Sequence, residues 1–234
     1  MAIKNKKGSH VGIILSFVIF VGFLLFMFIA VGPVTNIEIQ KAYTINSLKS
    51  FVKNNISEEV VIVNVKNSSS RGVENCLSFL KNEVPLSSAY FTVKDFEGDS
   101  TNSLEQSGTI YISWSGESLF KIYFANESFD KTILEGTLNC QVAEVGSVIE
   151  TEKILERNIL EVLEYYETNY TELKQSLNVP LEDEFGIKFK YSNGTILGED
   201  SNQIKEEIYV EELQVNYLDL EATEKRGYLI LSIW

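Results

Sequence analysis

Hydrophobic and polar positions change their period three times along the chain. Val11 to Val31, VGIILSFVIFVGFLLFMFIAV, is apolar almost throughout, and no acidic or basic residue occurs between Lys7 and Glu38. At about 1.5 Å per residue, such a run in helical form matches the roughly 30 Å hydrocarbon core of a bilayer. A single helix satisfies its own backbone in lipid, which one strand does not. The pattern therefore predicts a transmembrane helix over residues 11–34. The next stretch, residues 35–56, alternates loosely and either extends that helix or forms a short stalk.

Beyond it, β-branched and aromatic residues recur in short runs. Glu59 to Lys66, Tyr90 to Phe96, Thr109 to Trp114, Leu119 to Phe124 and Thr137 to Val145 read as strands, separated by polar turns such as Glu97-Gly-Asp-Ser and Ser115-Gly-Glu-Ser. At Ser147 the period becomes helical. Leu155, Ile159, Val162, Tyr166, Tyr170, Leu173 and Leu177 recur at steps of three and four, with Glu156, Glu161, Glu164, Glu167 and Glu172 opposite them. Ser147 and Glu150 have the spacing of a capping box and Asn178 stands before Val179-Pro180, which sets an amphipathic helix at about 148–178. Strands return at Phe185 to Tyr191, Glu207 to Tyr217 and Gly227 to Trp234, with Asn193-Gly194 as a hairpin turn. The fold class expected is α+β: a transmembrane helix, then a mainly antiparallel, sandwich-like β domain over 57–234 with one inserted helix.

Charge gives this layout a direction. Lys4, Lys6 and Lys7 form a basic leader over residues 1–10, and short basic flanks stay cytoplasmic, so the remainder is expected outside the plasma membrane. A cleaved secretory signal needs an apolar stretch of only about 7–15 residues, shorter than this one. Removing the three leader lysines from the 20 basic residues leaves 17 against 33 acidic ones, a net charge near −16. That field repels nucleic acid, so no nucleic-acid partner is expected.

In an oxidising compartment Cys76 and Cys140, the two cysteines, form a disulfide or else remain two buried thiols. Asn-x-Ser/Thr sequons at Asn55, Asn67, Asn126, Asn169 and Asn193 are glycosylation candidates in the same compartment.

Catalytic chemistry is poorly represented. The one histidine, His10, lies beside the apolar run, so the domain has no Ser-His-Asp or Cys-His arrangement. Two cysteines without histidines do not make a zinc sphere, and there is no D-x-D-x-D-G loop for calcium. The cluster Glu182-Asp183-Glu184 reads as a solvated loop before a strand in preference to an acid/base pair. No catalytic, cofactor-binding or metal-ligating residues are assigned, and no cofactor is expected.

Lys6-Lys7-Gly8-Ser9, running directly into the apolar helix, resembles the class III signal of type IV pilin-like proteins, most closely those of archaea. The resemblance covers the first 30 or so residues. It implies cleavage between Gly8 and Ser9 and a helix that anchors the subunit before packing against its copies. Bacterial members carry glutamate at the fifth mature position, where this chain has Ile13, an acid that archaeal members commonly lack. Gly12 and Ser16, four apart, would allow close helix approach. The expected role is a surface structural or adhesion subunit, a minor or specialised one given the size of its domain. Its partners would be membrane lipid and, through the apolar helix, its own copies or other pilin-like subunits. The competing readings are a non-polymerising surface binding protein and a carboxylate-based ectoenzyme.

Overall fold

A computed structural model describes residues 9–67, 76–83, 90–113, 119–126, 129, 140–198 and 209–234. It opens with one helix, α1 (Ser9–Ile56), of 48 residues, a rod about 72 Å long at the helical rise. The helix continues through Pro33, which has no N–H to offer the carbonyl of Ile29. Val11–Ile29 is long and apolar enough to cross a membrane, and none of it is buried.

The far end of α1 behaves differently. Ile45, Leu48, Val52 and Ile56, spaced by three, four and four, lie on one face and are buried. The alternatives of helix extension or stalk over 35–56 resolve to helix, and its last turns belong to the domain core.

Twelve strands follow among the described residues. β1 (Ser57–Lys66), β2 (Cys76–Leu80), β3 (Tyr90–Asp95), β4 (Ser103–Gln106), β5 (Thr109–Ser113), β6 (Leu119–Ala125), β7 (Gln141–Val142) and β8 (Glu144–Leu155) precede two helices. β9 (Phe185–Tyr191), β10 (Ile196–Leu197), β11 (Tyr209–Leu218) and β12 (Glu224–Ile233) come after them. Eight form one sheet in the order β10-β9-β12-β11-β8-β1-β6-β3, and four form another in the order β4-β5-β2-β7. Pairing is antiparallel except at β8–β11 and β2–β7. β2 and β4 were not expected from the alternation, because each is short and β4 has no buried residue.

The apolar run of β1 is explained by burial on both faces. Val61, Val63 and Val65 share a core with Phe91, Val93, Phe120, Ile122 and Phe124 of the large sheet and with Leu77, Phe79, Ile110 and Ile112 of the small one. Val60, on the other face, packs with Ala125, Leu155, Leu218 and Ala222.

The single helix expected at 148–178 is a strand followed by two helices. Residues 144–155 form β8, pairing with β1 from Ser57↔Ile154 to Lys66↔Glu144. α2 (Glu156–Thr168) and α3 (Tyr170–Ser176) then break at Asn169. Ser147 caps no helix; its hydroxyl accepts from the Asn64 side-chain amide at 2.7 Å. Ladder bonds to β1 outweigh the capping-box signal here, and Val148, Ile149 and Thr151 suit a strand. Leu155 accordingly ends β8, whereas Ile159, Val162, Tyr166 and Leu173 face the core from α2 and α3. Asn178 stops α3 as expected, in the left-handed region at φ 53°.

β8 and β11 meet only at Tyr217↔Ile154 and Leu218↔Leu155, which divides the large sheet. The β9–β12–β11 half packs with α1, α2 and α3; the β1–β6–β3 half packs with the small sheet.

Candidate functional site

The feature with the clearest functional meaning is α1, and its chemistry divides along its length. Within Val11–Ile29 almost every side chain is exposed, with Phe17 65%, Phe20 59%, Phe23 57% and Phe28 77% accessible. A contiguous apolar surface of this length is unstable in water, so it requires lipid or other protein. A Cβ added at Gly12 or at Gly22 would meet nothing, and Ser16 is exposed. The helix surface is therefore free for a neighbouring helix at these positions. Ser9 is the first described residue of α1, and Gly8 lies outside the described residues.

What holds the rod to the domain is a layered contact. Leu48 and Val52, both fully buried, pack in one cluster with Ile159 and Val162 of α2 and with Leu229, Leu231 and Ile233 of β12. Phe51 stacks at a tilt on Tyr165, with ring centroids 6.4 Å apart. Lys49 Nζ donates to Glu211 Oε1 of β11 at 2.7 Å. The spacing of Ile45, Leu48, Val52 and Ile56 was visible in the sequence, but loose alternation around it hid the helical period.

Cys76 and Cys140 are bonded, with their Cα atoms 4.9 Å apart. The bridge fastens the start of β2 to the chain entering β7, its parallel neighbour.

The sequons differ in setting. Asn193 is exposed in the β9–β10 turn, and its Oδ1 accepts the Thr195 N–H at 2.9 Å. Asn126 is exposed after β6. Asn67 is buried, 9% accessible. Asn55 lies in the last turn of α1, its amide donating to the Phe51 carbonyl at 2.7 Å, and the next residue, Ile56, is core. Asn169, at the α2–α3 break, donates to Thr168 Oγ1 at 2.9 Å.

Within Glu182-Asp183-Glu184, Glu184 has a structural role. Glu184 accepts from the Tyr170 hydroxyl and, at 2.9 Å, from Lys174 Nζ. Its backbone exchanges both hydrogen bonds with Trp234, at 2.8 and 2.9 Å, closing the end of β12. Burial, with the Glu184 hydrogen bond second, pushes the Tyr170 phenol well above its ordinary value. Burial and Glu156, whose Oε1 accepts from Tyr191 at 2.6 Å, do the same for Tyr191. Among the described residues no group of three or more His, Cys, Asp or Glu is placed to hold a metal ion. Comparison with protein families, curated proteins and solved structures finds no match to this chain.

Proposed function

We propose that this chain is a type IV pilin-like subunit of the cell surface: α1 crosses the plasma membrane with its N-terminus in the cytoplasm, and the β-rich domain is displayed outside as a sandwich-like head. The observation that carries the reading is the division of one continuous helix into a bare apolar rod and a segment built into the domain core. A rod joined to its head through a flexible linker would leave the head's orientation free. One whose last turns are core side chains sets the head relative to the helix axis, as regular assembly through the helix requires.

Three features support it. Lys6-Lys7-Gly8-Ser9 stands directly before the helix with the residue types of a class III processing site. The small residues Gly12, Ser16 and Gly22 permit close helix approach, while the phenylalanines supply bulk for packing. The Cys76–Cys140 bond suits an oxidising compartment.

The test is mass spectrometry of the N-terminal peptide of protein purified from its native membrane, with photo-crosslinking through a reactive residue at Phe20. A start at Ser9 with crosslinked oligomers is the expected result. A start at Met1 or Ala2 with no crosslinked copies would reduce α1 to an anchor and leave a non-polymerising surface protein.

A further inference from the structure

The face of β8–β1–β6–β3 turned away from the small sheet carries a pocket of about 530 Å³. The Phe96–Gly98 turn and the Ala222–Glu224 turn border it, and Ile62, Tyr123 and Ile149 form apolar wall. Two lysines line it. Lys94 and Lys121 are direct cross-strand partners on β3 and β6, so their side chains leave the same face side by side. Like charges directly opposite each other are destabilising.

Lys94 is also buried, at 4% accessible. Its ammonium donates to Ser100 Oγ at 2.9 Å and to Thr223 Oγ1 at 3.1 Å. An ammonium has three donors, so two hydroxyls leave one unused and supply no negative charge. Among the described residues neither Lys94 nor Lys121 has a carboxylate at ion-pair distance, in a chain with 33 acidic residues. Three acids also line the pocket: Asp95 Oδ1 accepts the Asp99 N–H at 2.8 Å, Glu224 holds Lys153 at 2.6 Å, and Glu97 is exposed to solvent on the Phe96–Gly98 turn. A buried charge without a counterion is costly, and an incoming anion would relieve it.

The aromatic residues narrow the class of anion. Phe96 stands 75% exposed at the pocket edge, and Tyr123 lines its wall. Exposed aromatic faces beside a few convergent polar groups suit a ring-shaped ligand with an apolar face. The strongly negative field of the whole protein disfavours polyanions such as nucleic acid or densely sulfated chains. A ligand with one carboxylate per ring fits both conditions. We infer that the pocket between Lys94, Lys121 and Phe96 binds an acidic sugar of the uronic acid class, its carboxylate between the two ammonium groups and its ring against Phe96. The site lies on the head alone, so it stands or falls independently of helix assembly.

The test is ligand-observed saturation-transfer NMR on the full chain in detergent micelles, titrating methyl galacturonoside against methyl galactoside, which differ only in the carboxylate, and against acetate. The expected result is transfer to the uronoside ring protons, with at least tenfold weaker binding of the galactoside. Lys121→Gln, on an exposed side chain, should weaken uronoside binding at least fivefold, as should Phe96→Ala, and raised salt should weaken it in the unaltered protein. Equal binding of the two glycosides, or no binding of the uronoside, overturns the inference. Displacement by acetate at equal concentration, with Phe96→Ala without effect, overturns it too by reducing the pocket to a simple carboxylate site.

Discussion

Single residues decide how firmly the helix and the head are joined. Leu48 is fully buried between α2 and β12. Leu48→Ala should cost about 2–5 kcal/mol, read as a lower denaturant midpoint of the domain. An exposed neighbour such as Ser50 should tolerate alanine within about 0.5 kcal/mol. Gly227 is as constrained for a different reason. A Cβ there would lie 2.4 Å from Phe189 Cζ, a ring held edge-on by Tyr191 and Tyr217. Gly227→Ala should therefore destabilise by about 1–3 kcal/mol through overpacking. The raised phenols of Tyr170 and Tyr191 set an alkaline limit. Unfolded tyrosines ionise near pH ~10, so above that pH the unfolded chain has released protons that the native state retains. The stabilisation is then fully present below about pH 10 and is lost as pH rises through the native values. Denaturant titrations should show stability falling above about pH 10, and Tyr170→Phe should make that fall shallower.

At the scale of elements, the contest is between helix and strand over residues 144–155. The Ser147 and Glu150 spacing suits a helix start, but the β1 edge needs a partner, and β8 supplies one along its whole length. Non-local ladder bonds of this kind do not register in local periodicity. The Cys76–Cys140 bridge links β2 to the residue entering β7, across 64 residues of sequence. In the chain-entropy account a loop of that length is worth about 4 kcal/mol. Reduction should lower the unfolding midpoint and slow migration on a gel; an unchanged midpoint would mean that the small sheet gains nothing from the bond. Sequon use follows exposure: if the domain is exported, glycan should be found at Asn193 and Asn126 and not at Asn67, which peptide mapping would read directly.

For the whole molecule, the question is what covers the bare rod. Phe20 lies near the middle of Val11–Ile29. An arginine at a helix centre costs about 3 kcal/mol on insertion scales. Phe20→Arg should therefore raise the fraction of protein extracted by alkaline carbonate without altering the domain's unfolding midpoint. The two readouts separate because the residues around Phe20 make no core contact, whereas Ile45 to Ile56 do.

Much of this design is local and so was legible in the chain. The apolar run, the strands β1, β3, β5, β6, β9, β11 and β12, the Asn193-Gly194 hairpin and the stop at Asn178 depend on residue type and short spacing. Tertiary structure alone decided the rest. It turned 144–155 into a strand because β1 offered ladder bonds, split the helix at Asn169, and made Ile45 to Ile56 core because a sheet face needed covering. It also brought Lys94 and Lys121 together, 27 positions apart. Charge pairing across strands depends on register, and register is fixed by which faces are buried, a property of the assembled sheet.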